Sequence, residues 1–369
     1  MNVIVFIKLI YVYIPFAAFV LAYFAYVRRS GYGRAGRIGW TCVLAVCSLK
    51  FVVFDLIGGD PIYPEVPGAL IWIWSWAYAG MLTLCLLAVL AWRWRSCVKG
   101  PLLAVLSWSF AAYGVWEGVR VPDVREIEFS YGGLPSELDG YRIVQLSDLH
   151  VSASAKSWRT RAIVRKVNAL NADLVCLTGD YVDGSVKRRL PDIKPLVDLK
   201  ARDGVYLVAG NHECYHNPGE WETAYRNLGL RFLANDCVFP RPSLALAGVN
   251  DKDVFRLPGG DLFARGPDVG KAFASATNGQ FRVLLQHRPE CAASNMDRHG
   301  VRLQLSGHTH GGIMPVLASV VRSHNNGFLR GIYKLPRGNL FVHSGTGQWA
   351  GFPCRFFAPA EIVVITLRK

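Results

Sequence analysis

Five short stretches of this 369-residue chain place aspartate and histidine where an apolar run ends. "SDLH" carries Asp148 and His150, "TGDYVDG" Asp180 and Asp183, "AGNHE" Asn211 and His212, "LQHRPE" His287, and "SGHTHGG" His308 and His310. Side chains gathered at the carboxyl ends of several strands converge on one crevice in an open α/β sheet. Asp148 and His150 are two apart, so a continuing strand would turn both to one face. The glycines around His308 and His310 remove the bulk that would bury those rings. They suit a tight turn that presents two imidazoles.

The donor set is two carboxylates, one amide oxygen and four or five imidazoles, with no thiolate. That is too rich in nitrogen for Ca²⁺ or a typical Mg²⁺ site and suits Mn, Fe or Zn. Seven ligands are too many for one tetrahedral ion and fit two ions sharing a carboxylate. Two such ions about 3.5–4 Å apart lower the pKa of a bridging water and stabilise both oxygens of an in-line displacement. With two carboxylates the centre keeps a positive charge, which favours an anionic ester. The nine cysteines include no Cys-x-x-Cys pair, so no thiolate zinc site is indicated. The five in the domain are an odd number that gives no disulfide framework, with a Cys214–Cys237 bridge the one pairing left open. His216, His299, His324 and His343 fall in no block and read as ordinary polar residues. Glu213 reads as a structural hydrogen-bond partner, and the run from Lys187 to Arg189 as a solvated charged face. Arg288, beside His287, is the phosphate-contact candidate.

The elements that must position these residues alternate. "YRIVQLSDLH", "ADLVCLTGD" and "GVYLVAGNHE" read as strands, separated by the amphipathic "WRTRAIVRKVNAL" and by "DIKPLVDLK", a helix broken at Pro195. "GEWETAYRNLG" is a helix closed by Gly229. "SLALAGVND", "FRVLLQHRPE", "VRLQLSGHTH", "NLFVHSG" and "EIVVITL" are strand-like. The pattern predicts an α/β domain with a substantial sheet, over residues 120–369.

Residues 1–119 are of another kind. The chain is 51% hydrophobic with a mean hydropathy of +0.22, and the excess lies before residue 120. Runs at 3–27, 38–57, 69–92 and 101–119 are near or above the roughly 20 residues that cross a bilayer. The expectation is an all-α membrane region of about four helices. The loops at Arg28–Arg37 and Arg93–Gly100 are basic, and the loop holding Asp60 and Glu65 has no Lys or Arg. Basic loops stay inside, so the protein is expected to be multi-pass with its large domain on the outer face. The fourth run carries Glu117; if it did not cross, the domain would be cytoplasmic. Lys50 and Asp55 lie in the second run, where Lys50 is expected to snorkel outward and Asp55 to sit near the interface. The net charge of +14 suits phosphates or anionic headgroups. No nucleic-acid motif accompanies it.

Asp-x-His, Gly-Asp-x-x-Asp, Gly-Asn-His-Glu, His and Gly-His-x-His, in that order, resemble the calcineurin-like metallophosphoesterase superfamily. The resemblance covers about 141–366. The ending "GTGQWAGFPCRFFAPAEIVVITL" is similar to that of its membrane-attached bacterial branch. It implies a β-sandwich flanked by helices, with one metal on Asp148, His150 and His310. The second metal is implied on Asn211, His287 and His308, with Asp180 bridging. His212, oriented by Asp183, would protonate the leaving oxygen, and a metal-bridging hydroxide would attack. The expected partners are the bilayer and a phosphorylated small-molecule or lipid substrate, mono- or diester. Hydrolysis of a UDP-2,3-diacylglucosamine-type pyrophosphate, as in some relatives, is the alternative within the enzyme class. A non-catalytic membrane sensor or scaffold is the alternative outside it.

Overall fold

The computed structural model describes residues 13–29, 31–91, 100–253 and 266–369. The chain divides into two compact units. One is Met1–Arg120 with Ala350–Cys354, and the other is Val121–Trp349 with Arg355–Lys369.

In the helical unit, α1 (Ile14–Ala22) runs on into a π-helical turn, Tyr23–Val27. It is followed by α2 (Arg34–Ser48), α3 (Lys50–Gly58), α4 (Gly68–Leu90) and α5 (Gly100–Val119). By length and composition α4 and α5 are each able to cross a membrane, whereas α2 and α3 are long and apolar enough only as a pair, which is bent by 51° at its break. The expected span at 3–27 lies partly outside the described residues. At the bend the Ser48 hydroxyl donates to the Ala45 carbonyl at 2.7 Å, a back-bond of the kind that bends helices. A Cβ at Gly80 of α4 would overlap the Trp108 ring of α5, so only glycine admits that close helix pair. Glu117, the doubtful charge of the last run, is buried and bonded by the Arg120 guanidinium at 2.8 and 2.9 Å.

Lys50 departs from expectation. It does not reach outward: its side chain is wholly buried and its Nζ donates to the Gly351 carbonyl at 2.6 Å. Asp55 is exposed.

The second unit is built on two six-stranded mixed sheets. The first runs β1 (Asp123–Ser130), β12 (Glu361–Arg368), β2 (Arg142–Leu146), β3 (Leu174–Leu177), β4 (Val205–Leu207), β5 (Arg231–Phe232). The second runs β10 (Gly331–Leu335), β11 (Gly338–Val342), β9 (Leu303–Ser306), β8 (Phe281–Leu285), β7 (Leu244–Gly248), β6 (Asp236–Arg241). β2 to β5 are parallel, as are β7, β8, β9 and β11.

Strand alternation explains the layers. Ile143, Leu174, Val363 and Ile365 of the first sheet meet Leu246, Val283, Leu305 and Phe341 of the second in one core. The alternate residues Val144, Val175 and Val364 pack outward on Ile163, Val167, Trp221 and Tyr225. Those partners belong to α6 (Ser157–Asn168) and α9 (Pro218–Asn227). Ala245, Leu284 and Leu340 likewise face Ala272, Ala292 and Met296 across the second sheet. Strands covered on both faces read as unbroken apolar runs, as "EIVVITL" does. The expected sandwich flanked by helices is therefore present.

Two local expectations change. The helix read over 192–200 instead starts earlier, as α7 (Val186–Ile193), and Pro195 opens a 3₁₀ turn, Lys194–Asp198. β1, β5, β6 and β10 join the eight expected strands. α8 (Asn211–Tyr215) is a short helix that begins within "AGNHE".

Candidate metal centre

All the candidate ligands lie just beyond strand ends. Asp148 and His150 follow β2, Asp180 follows β3, Asn211 opens α8 after β4, His287 follows β8, and His308 and His310 follow β9. Strand alternation is not what aims them. Asp148, His150, Asp180, His308 and His310 all have φ between 47° and 71°, the left-handed region. Five of seven ligands there is far above the few per cent usual for non-glycine residues. Such strain persists where the surrounding structure imposes it, typically at functional sites. Two glycines let the turns close: a Cβ at Gly307 would overlap Ser147 Oγ and Asp148 Oδ2, and one at Gly210 would overlap the Asp180 carboxylate.

The donor atoms converge in three overlapping groups: Asp148, His150 and His310; His150, Asp180 and His212; and Asp180, His287 and His308. His150 Nε2 lies 3.0 Å from His310 Nε2, and His310 Nε2 lies 3.4 Å from Asp148 Oδ1. On the other side His287 Nε2 is 3.2 Å from Asn211 Oδ1, from His308 Nδ1 and from Asp180 Oδ2. Asp180 Oδ2 is also 3.9 Å from His150 Nε2 and 3.8 Å from His212 Nε2. One buried carboxylate therefore faces two ligand sets.

The family description for calcineurin-like phosphoesterases matches residues 141–312. A metallophosphoesterase of Helicobacter pylori is 34% identical over 260 residues, covering 69% of this chain and 66% of that one. A Danio rerio transmembrane protein with a metallophosphoesterase domain is 33% identical over 280 residues, covering 73% and 62%. An Aquifex aeolicus metallophosphoesterase is 30% identical over 228 residues, covering 62% of this chain and 85% of its own length. The chain belongs to the calcineurin-like phosphoesterase family. It spans less than two thirds of the length of the first two relatives, 66% and 62%.

As in a metallophosphoesterase prepared for ions, hydrogen bonds behind the rings set their tautomers. Asp183 Oδ1 accepts from Nδ1 of both His150, at 2.9 Å, and His212, at 2.7 Å. The Thr178 carbonyl accepts from His287 Nδ1 at 2.7 Å. With Nδ1 held in this way, each of these three rings turns its Nε2 atom inward, and for His150 and His287 this is the usual effect of a group behind a metal ligand. Glu213 accepts from the amides of Asp180, Tyr181 and Gly210 at 3.0, 2.7 and 2.7 Å, which is the structural role read for it.

Charge is crowded in this pocket. Burial opposes ionisation of Asp180, yet His287, His212 and His150 hold its carboxyl well below the usual range. Burial is likewise outweighed at His212, which Asp180 and Asp183 raise to about 9, and at His287, which Asp180 and Asp148 help raise to about 10. Burial pushes His308 and His310 well down, reinforced by Arg288 and His287 in one case and by His150 and Arg355 in the other. Carboxylates held ionised and rings aimed at one another make this a candidate cation site, and the donor set fits the family's two metals.

Arg288 is near the centre but already engaged. Its Nε donates to Asp251 at 3.0 and 3.2 Å, one terminal nitrogen bonds Asp253 at 2.5 Å, and the other lies 3.3 Å from His308 Nε2. Two carboxylates neutralise it, so few of its donors remain for a phosphate. Arg189, read as part of a solvated run, is buried and donates to the Asp183 carbonyl at 3.0 Å. Sequence reasoning missed Asp251, Asp253 and Arg355. Arg355 is fully buried, with one terminal nitrogen 3.1 Å from His310 Nδ1. A charged residue inside the apolar ending "FPCRFF" was the available signal. All eight described cysteines are free, so Cys214 and Cys237 form no bridge.

Proposed function

We propose that this chain is a membrane-anchored phosphoesterase that holds two divalent ions across Asp180 and cleaves an envelope- or lipid-linked phosphate ester. The observation that carries the reading is the placement of Asp180. Its Oδ2 faces His287 at 3.2 Å on one side and His150 and His212 at 3.9 and 3.8 Å on the other. On this reading Asp148, His150 and His310 hold one ion and Asn211, His287 and His308 the other. When bound, the ions supply Lewis acidity and an activated water.

The chain's own residues do the rest. His212 is the least buried imidazole of the His150, His212, His287 and His310 group, and Asp183 fixes its Nδ1. Raised to about 9, it carries a proton at neutral pH and presents Nε2–H to a leaving oxygen. Asp183 keeps that ring oriented and stabilises its charged form. A pure binding module has no use for such an acid, which favours the enzyme over the sensor or scaffold.

Membrane anchoring favours substrates at surfaces, and the basic first and third loops support an outward-facing catalytic unit. A UDP-linked pyrophosphate would demand the opposite sidedness. The test uses chelated full-length protein with Mn²⁺ restored. A chromogenic phosphodiester and a phosphomonoester are compared, with Asp180→Ala as control. Metal-dependent turnover that vanishes in the variant is expected. Equal turnover in the two proteins would refute the assignment.

A further inference from the structure

The helical unit holds a charge that the reaction does not use. Lys50 is wholly buried, and no carboxylate bonds it among the described residues. Its ammonium is 4.8 Å from the ring centres of Phe51 and Phe352, 5.6 Å from Phe54 and 5.8 Å from Tyr78. These are cation–π distances. Among the described residues it donates to the Gly351 carbonyl. An ammonium within an apolar helical bundle is expensive and usually functional. A methionine would fill the space without desolvating a charge, but it would leave a buried carbonyl without a donor.

The segment it grips is unusual in position. Ala350–Cys354 belongs to the helical unit, although the residues on both sides belong to the catalytic unit. The segment is also pressed on α5, since a Cβ at Gly118 would fall 2.6 Å from the Pro353 carbonyl oxygen. Its two flanks hold metal ligands. Upstream, Thr346 N donates to the Ser147 carbonyl at 2.6 Å and Gly347 N to the Asp148 carbonyl at 2.8 Å. Downstream, Arg355 contacts His310 Nδ1 and ties the Ser344 and Ala358 carbonyls at 2.7 and 3.0 Å.

We propose that Lys50 is a positioning residue for the metal centre: it pins Gly351, and the pinned segment keeps its flanks seated on Asp148 and His310. The coupling runs along the chain, five residues from Ala350 to Cys354. It is carried by a hydrogen bond and a ring of aromatics, so it responds to any change that alters packing around α3. This rests on the metal centre proposed above.

The experiment compares wild type, Lys50→Met and Lys50→Arg as full-length protein in lipid nanodiscs. Amide exchange over residues 343–358 is read in metal-free protein, and Mn²⁺ affinity is read by chelator competition. Lys50→Met should speed exchange of that segment and weaken Mn²⁺ binding by roughly 10- to 100-fold, as loss of a group behind a metal ligand does. Lys50→Arg, which keeps a donor and a cation, should restore both. Wild-type exchange and affinity in Lys50→Met overturn the proposal, and so does an equal loss in both variants. Should Lys50→Met fail to insert, Phe352→Leu opens the cage with the charge retained, and unchanged exchange and affinity there overturn it. Wild type that binds no Mn²⁺ would instead sink the metal centre and leave the exchange comparison standing.

Discussion

Polar groups are buried in both units of this protein, but they are satisfied in opposite ways. In the helical unit serine and threonine hydroxyls bond within their own helices. Ser75 donates to the Ile71 carbonyl, Thr83 to Ala79 and Ser107 to Leu103, each at 2.6 to 2.8 Å within its own helix. In the catalytic unit the rings of His150, His287, His308 and His310 are aimed at each other and at carboxylates, on backbone that five of the ligands hold in the left-handed region. A local bond is cheap and carries no function, whereas mutually facing polar groups on strained turns are what a bound cation would reconcile.

The comparison can be broken first at the acid. His212→Ala should lower turnover by about 10²- to 10⁴-fold and leave metal content unchanged. Loss of the metals with the turnover would make His212 a ligand instead. Asp183→Asn is expected to cost roughly 10- to 100-fold, because the amide oxygen left to the two rings lacks the carboxylate's charge. Metal affinity in that variant should fall too, since His150 is one of the two rings.

A pH series sharpens the same contrast. Without metal, His287 is raised to about 10 and His212 to about 9, so both carry protons at neutral pH. Metal must displace the His287 proton. Mn²⁺ affinity should therefore climb from pH 6.5 to 9, with protons released on binding, as calorimetry in two buffers would show. A flat profile would contradict this charge assignment. The linkage to stability has the same sign. Both raised imidazoles stabilise the metal-free fold fully below pH 6.5, and that contribution is lost as pH rises through 9 to 10. Melting of chelated protein should drop over that window.

The smallest effect belongs to the helices. Ser107→Ala removes one local back-bond and should cost no more than about 0.6 kcal/mol, with turnover unchanged. A large loss of activity in that variant would mean that the two kinds of burial differ less than the geometry indicates.

Much of the site was readable in the residues because the chemistry demands particular types. No other side chains give "GNHE" and "GHTHGG" at strand ends, and the apolar runs before them are the buried strands themselves. The left-handed turns at Asp148, His150 and Asp180 were not readable, since nothing local favours them and tertiary packing imposes them. β1 was hidden by its charges: Arg125, Glu126 and Glu128 are exposed on an edge strand, and the consecutive pair Arg125 and Glu126 breaks the alternation. β5 has only two residues and carries no period. Lys50 was misread for a different reason. Its partner lies 301 residues away, and snorkelling is the ordinary outcome for a lysine in an apolar helix.

The central claim is that Asp180 is shared between two ions, and metal counting on the full-length chain tests it most directly. Chelated protein would be saturated with Mn²⁺, desalted and analysed for metal beside Asp180→Ala, with turnover measured on the same samples. Two ions per chain in the wild type, falling together with turnover in the variant, is the predicted result. A single ion in an active wild type, or two ions retained by an active variant, would contradict it.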